Sequence, residues 1–169
     1  FHNLGFEGIL PRRYNRLLAF NLMCAYGMLL SFLVQGYAAV SITFSTLSLL
    51  VGVIFYWYCK RDVDVLTKKT IWWKYIQAAI YFNLLSCLGT FAVVLTTVFQ
   101  PGNTELRLAS VYFYLHFQYN GWFFFACMGL FHHWLDGRHI NVPYSQQLFR
   151  FFTISCLILY LLSINWMAF

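Results

Sequence analysis

LLAFNLMCAYGMLLSFLVQGYAAVSITFSTLSLLVGVIFYWYC, residues 17–59, is a run of 43 residues without one charged side chain. A helix needs about 20 mostly apolar residues to cross a bilayer, so this run holds two crossings. Gln35-Gly36-Tyr37 divides it as a very short turn, which makes the two helices antiparallel neighbours. Three more charge-free stretches follow, Tyr75–Thr104, Leu108–Leu135 and Phe151–Phe169, of 30, 28 and 19 residues. Each is long enough for one crossing. The pattern predicts an all-α fold, a polytopic transmembrane bundle of five helices near residues 15–35, 38–59, 72–99, 107–135 and 149–168.

Composition points the same way. Of the 169 residues, 61% are hydrophobic, 22% aromatic and 9% charged, whereas soluble domains are about a quarter charged. That excludes a soluble enzyme, a nucleic-acid binder and a disordered regulator, despite a net charge of +6. The lipid bilayer is the expected surrounding, and nucleic acid is not an expected partner.

The scarce charge labels topology instead. Arg12, Arg13 and Arg16, then Lys60, Arg61, Lys68, Lys69 and Lys74, then Arg138 and Arg150 fall at one end of the five-helix arrangement. Arg107, beside Glu105, is alone at the other. Lys and Arg accumulate on the cytoplasmic side of membrane proteins, so the N-terminus is expected inside and the C-terminus outside. Residues 1–14, which mix Phe1, Leu4, Phe6, Ile9 and Leu10 with polar groups, read as an interfacial segment, with residues 15–169 as the bundle. Pro11 suits a helix start. Trp57, Trp72, Trp73, Trp134 and Trp166 lie near helix ends, as an aromatic belt requires. The chain begins at Phe1, and a segment of a longer protein is expected.

Ser41, Ser45, Ser48 and Gly52 on the second helix, and Ala79, Asn83, Ser86 and Thr90 on the third, recur at +4, +7 and +11. Small residues at helical period let backbones approach closely in lipid, so both stripes are expected to face other helices. The five cysteines fall one to each helix without a Cys-x-x-Cys pair, which fits packing. None of Glu7, Asp62, Asp64, Glu105 and Asp136 lies within a span, which weakens the reading as an ion-coupled carrier.

The fourth helix carries the chemistry. His116, Gln118, Tyr119, Asn120 and Gly121 fall near its middle, and His132 and His133 near its inner end. Ionisable groups at such depth are costly and mark candidate sites. His116 and Asn120 are four apart and share a face. A neutral imidazole there can ligate heme iron or copper, with Gln118, Tyr119 and Asn120 supplying supporting hydrogen bonds. The alternative is a histidine bonded to a neighbouring helix. His132 lies 16 residues on from His116, about 24 Å along an α-helix and about 160° around it, so the two cannot share an ion. A second axial ligand would have to come from Met23, Met28, another chain or a missing segment. His132, His133, Asp136 and His139 form a second candidate, a metal set at the cytoplasmic edge, with a solvated helix cap as its alternative.

The run His116-x4-Gly121-Trp122-x6-Gly129-x2-His132 resembles a histidine-bearing helix of the heme-copper oxidase subunit I and nitric oxide reductase-like membrane proteins. The resemblance implies that His116 ligates a metal and that the Gly-aromatic pair permits close packing beside it. It also implies a redox or gas-handling role in a bacterial inner membrane or an equivalent energy-transducing membrane. The family needs a His-His pair and a His-x-His on other helices, which only a longer parent chain would supply. Three functions are therefore in view: a subunit of a larger membrane complex that binds heme or copper through His116, a non-catalytic accessory or assembly subunit bound to other membrane subunits or copies, and a small-solute or lipid transporter.

Overall fold

The computed structural model describes residues 12–35, 39–63 and 65–164. The residues expected as an interfacial segment up to Pro11, the turn at Gly36-Tyr37, and Trp166 lie outside them. Among the described residues there are helices and turns and no strand. Four helices, spanning Arg12–Val34, Val40–Asp62, Ile71–Phe99 and Ser145–Ser163, are long and apolar enough to cross a membrane. The chain is a multi-pass helical membrane protein. It divides into two compact units, Phe1–Val65 and Leu66–Phe169.

The first unit pairs α1 (Arg12–Gln35) with α2 (Ala39–Asp62). Three contacts fix their antiparallel register. Ser48 Oγ donates to Asn21 Oδ1 at 2.9 Å, which turns the small-residue stripe of α2 toward α1. Gly27 lies under the Phe44 ring, so close that a Cβ would fall 2.5 Å from it. At the charged end Asp62 accepts from Arg13 and, at 2.6 Å, from the Tyr14 hydroxyl. Arg12, Arg13 and Arg16 therefore sit at the same end of this unit as Lys60 and Arg61.

The second unit opens with a 3-10 turn, Thr67–Lys69, and continues through α3 (Ile71–Phe99). Pro101 and Gly102 form the turn, and Asn103 caps the next helix by accepting from Leu106 N–H at 3.0 Å. The expected fourth helix is one rod in three parts: α4 (Thr104–His116), a π-helical stretch (Phe117–Phe123) and α5 (Phe124–Asp136). Then α6 (Ser145–Ser163) returns alongside. The left-handed residues of the α5–α6 loop are His139 (φ 56°) and Tyr144 (φ 63°), while Gly137 keeps helical dihedrals.

Aromatic rings fill the core of this unit. Tyr75, Ala79, Phe82, Phe117, Phe125 and Cys156 are buried together. Phe82 stacks on Phe117, and Tyr75 meets Phe149 edge-on. Glycines set the distance between α3 and the rod: Gly89 abuts the backbone of Ser110 and Tyr114, Gly121 abuts Phe82, and Gly129 abuts Ile76. The Ala79–Thr90 stripe faces that rod, with Ser86 fully buried. Outward faces stay apolar, with Leu88, Leu95, Ile158 and Leu162 all more than half exposed. In water such a surface would aggregate, and in lipid it is the solvated face.

Candidate functional site

The rod's midpoint gathers the polar residues that the sequence singles out, but to two different neighbours. His116 is buried, 8% exposed, and turned toward α6. Its Nε2 lies 2.8 Å from the carbonyl oxygen of Cys156. A carbonyl only accepts, so Nε2 carries the proton and donates. Nδ1 is then the acceptor, and the Asn120 amide donates to it at 3.3 Å. Both ring nitrogens of His116 are thus engaged within the protein. The imidazole joins the rod to α6, and its ring also lies edge-on to Phe117.

Gln118 points the other way. Its Oε1 accepts from the Ser86 hydroxyl at 2.8 Å, a proton that Ser86 shares with the Asn83 carbonyl at 2.7 Å. Tyr119 is 64% exposed, away from the His116–Asn120 pair. Of the four residues expected around a cofactor, the fold brings His116 and Asn120 together and sends Gln118 and Tyr119 elsewhere. The π-helical stretch begins directly after His116. A π-helix accommodates extra residues within a helical run and is rare outside functional or strained positions. Here it lies in the segment that packs Gly121 on Phe82, with His116 on α6 and Gln118 on α3.

The second candidate set separates in part, with His133 turned away from the other three. His132, 5% exposed, stacks on Tyr75 at 5.1 Å with an interplanar angle of 14°. His133 meets Trp72 edge-on at 4.7 Å. His132, Asp136 and His139 line one cavity that His133 does not. Among the described residues, no group of three or more His, Cys, Asp or Glu side chains is placed to hold a metal ion. The reason is helical spacing: consecutive residues differ by about 100°, which sends His132 and His133 to different neighbours. All five cysteines are free thiols.

The same end of the unit holds Lys74 and Arg138. Lys74 Nζ donates to Gln146 Oε1 at 3.0 Å, tying the first turns of α3 and α6. The Arg138 guanidinium lies 4.3 Å from the Trp134 ring centroid. Two features escape sequence reasoning altogether: the Tyr75 hydroxyl, buried without a hydrogen-bond partner among the described residues, and the cavity that involves the starts of α3 and α6. The only hint of the cavity is Pro143 shortly before α6. Compared with models of protein families, with curated proteins and with solved structures, the chain matches none.

Proposed function

We propose that the chain is a non-catalytic accessory or assembly part of a larger membrane complex, in which His116 locks two helices together. The observation that supports this reading is the saturation of His116: Nε2 donates to Cys156 O and Nδ1 accepts from Asn120. A buried imidazole with both nitrogens bonded is satisfied without a ligand. In the Gln118–Asn120 patch that would serve a transporter, Gln118 Oε1 accepts from Ser86 and the Asn120 amide donates to His116. What remains outward is apolar and aromatic, suited to lipid and to other membrane helices. The basic ends facing the cytoplasm, in a bacterial inner membrane or an equivalent energy-transducing membrane, belong to this proposal and rest on the Lys/Arg bias.

The test is purification of the tagged chain from its native membrane in a mild detergent, followed by mass spectrometry of the co-eluting chains. A stoichiometric membrane partner is expected. A lone monodisperse monomer would count against the reading.

A second reading keeps heme or copper at His116. It is favoured by the π-helical stretch beside a buried histidine and by Asn120 on Nδ1, the position of an orienting group in ligating histidines. It requires Nε2 to leave Cys156 O and a second ligand to come from outside these residues. A reduced-minus-oxidised spectrum of the purified protein decides it: a Soret band or bound copper, lost in His116→Leu, would replace the first reading.

A further inference from the structure

The helix starts of α3 and α6 face a common cavity of about 270 Å³, lined by Ile71, His132, Asp136, His139, Asn141 and Ser145 among others. This is just under the roughly 300 Å³ at which pockets for drug-sized ligands begin, so the occupant is small. Ile71 is the first residue of the 29-residue α3, and Ser145 the first of the 19-residue α6. Neither start has a side-chain cap. Thr70, the N-cap of α3, spends its hydroxyl on Thr67 O at 2.6 Å, and the N-cap of α6 is Tyr144, which makes no side-chain cap bond. The amides at the very start of each helix lack an acceptor within it, although in α6 the Gln147 N–H already donates to Tyr144 O at 2.9 Å. Two helix dipoles place partial positive charge there. By contrast, the C-terminal carbonyls of α5 are covered: Gly137 N–H donates to His133 O, and the Arg138 and Ile140 amides donate to Leu135 O.

A second, independent observation comes from His132. His132, 95% buried by its 5% exposure, lines it with ring contacts to Tyr75 and Phe131 and no hydrogen-bond partner among the described residues. An imidazole that lines the cavity without a partner among the described residues is open to a hydrogen bond from a ligand there.

We propose that this cavity binds a phosphate group, and that Asp136 selects a phosphate ester carrying an ammonium, as in phosphoethanolamine. The uncapped amides of α3 and α6 and a ring N–H of His132 donate to phosphate oxygens, as helix N-termini do. The Asp136 carboxylate would repel a bare anion and instead accepts from the ammonium. Asn141 and Ser145 add neutral donors. The Trp72 and Trp134 level places the cavity at headgroup depth, so both a phospholipid headgroup and a free ester can supply this chemistry. The site shares no residue with the His116 set, so either reading stands or falls alone.

The test uses the full chain in detergent micelles. Calorimetric titration with inorganic phosphate and with O-phosphoethanolamine measures the soluble arm. Native mass spectrometry from micelles doped with phosphatidylethanolamine, or with uncharged diacylglycerol, measures the lipid arm. Phosphoethanolamine is expected to bind about tenfold more tightly than phosphate, the worth of one charge-assisted hydrogen bond. His132→Phe keeps the ring on Tyr75 and should weaken binding about tenfold. Asp136→Asn should abolish the preference for the amine. Ile71→Pro removes one first-turn amide after a residue already extended, Thr70 at ψ 154°, and should weaken binding while α3 persists. Binding of the lipid alone assigns the source to the membrane, and binding of both includes the free ester. Each supports the site. No binding in either arm, or binding unchanged in all three folded variants, would overturn it.

Discussion

Replacing Gly89 by alanine tests whether backbone contact sets the α3–α4 spacing. A Cβ at position 89 would fall 2.7 Å from Tyr114 N and 2.9 Å from Ser110 O, both backbone atoms that cannot rotate away. Ordinary contact begins at 3.4 Å, so the helices must part by about 0.7 Å at this crossing. Overpacking of this kind costs about 1–3 kcal/mol. Alanine returns up to about 1 kcal/mol through its better helix propensity. The net expectation is a loss of about 1–2 kcal/mol, or roughly a five- to thirtyfold fall in the folded-to-unfolded ratio. Two comparisons calibrate it. Gly129→Ala meets first the tip of Ile76, which can turn aside, and should cost less. Gly102→Ala meets nothing within 4 Å and should stay within about 0.5 kcal/mol of the parent. Unfolding by titration with sodium dodecyl sulfate in mixed micelles, followed by far-ultraviolet circular dichroism, reads all three. If Gly89→Ala proves as stable as Gly102→Ala, glycine-mediated backbone contact does not hold this pair.

Other substitutions probe the polar contacts. His116→Leu removes two hydrogen bonds and strands the Asn120 amide, for an expected cost of about 1–3 kcal/mol. Adding Asn120→Leu should then cost less than the sum of the single changes, and strict additivity in the same unfolding assay would argue against the pair. Tyr75→Phe deletes a buried hydroxyl that has no partner among the described residues and keeps the ring against His132 and Phe149, so stability should rise by about 1 kcal/mol. A fall would show that the hydroxyl is bonded in the membrane. In the first unit Asp62→Asn weakens the acceptor shared by Arg13 and Tyr14. The Arg13 side chain is 44% exposed, so about 1 kcal/mol is expected. Hydrogen exchange at the start of α1 should quicken, and unchanged exchange there would remove the ion pair from the account.

Some of this was legible in the sequence because it depends only on runs and periods. Charge-free runs such as residues 17–59 locate the crossings, since burying charge in lipid is costly wherever the helix packs. The +4, +7, +11 stripes predict interhelical faces, and Ser48 and Ser86 lie on them, bonded to Asn21 and Gln118. The partner of each stripe was not legible: each faces a neighbour within its own unit. The π-helical stretch was equally hidden, because an α-helical ruler of 3.6 residues per turn cannot anticipate where a rod takes in extra residues.

The candidate site divides along the same line. That His116 and Asn120 share a face follows from their spacing of four. That His116 is saturated depends on Cys156 O, 40 residues away on another helix, and no local pattern encodes that meeting. Of the four-residue metal set, His132, Asp136 and His139 line one cavity while His133 turns to Trp72, because neighbours on a helix point about 100° apart. The cavity at the starts of α3 and α6 exists only because two segments more than 70 residues apart begin side by side, as the 72-residue separation of Lys74 and Gln146 shows. Sequence by itself located the apolar helical runs, four of which fold into helices long enough to cross a membrane, through the cost of charge in lipid. Tertiary structure alone decided which polar groups are satisfied and which still lack a partner, because hydrogen bonds depend on distance and angle between helices that the chain order does not bring together.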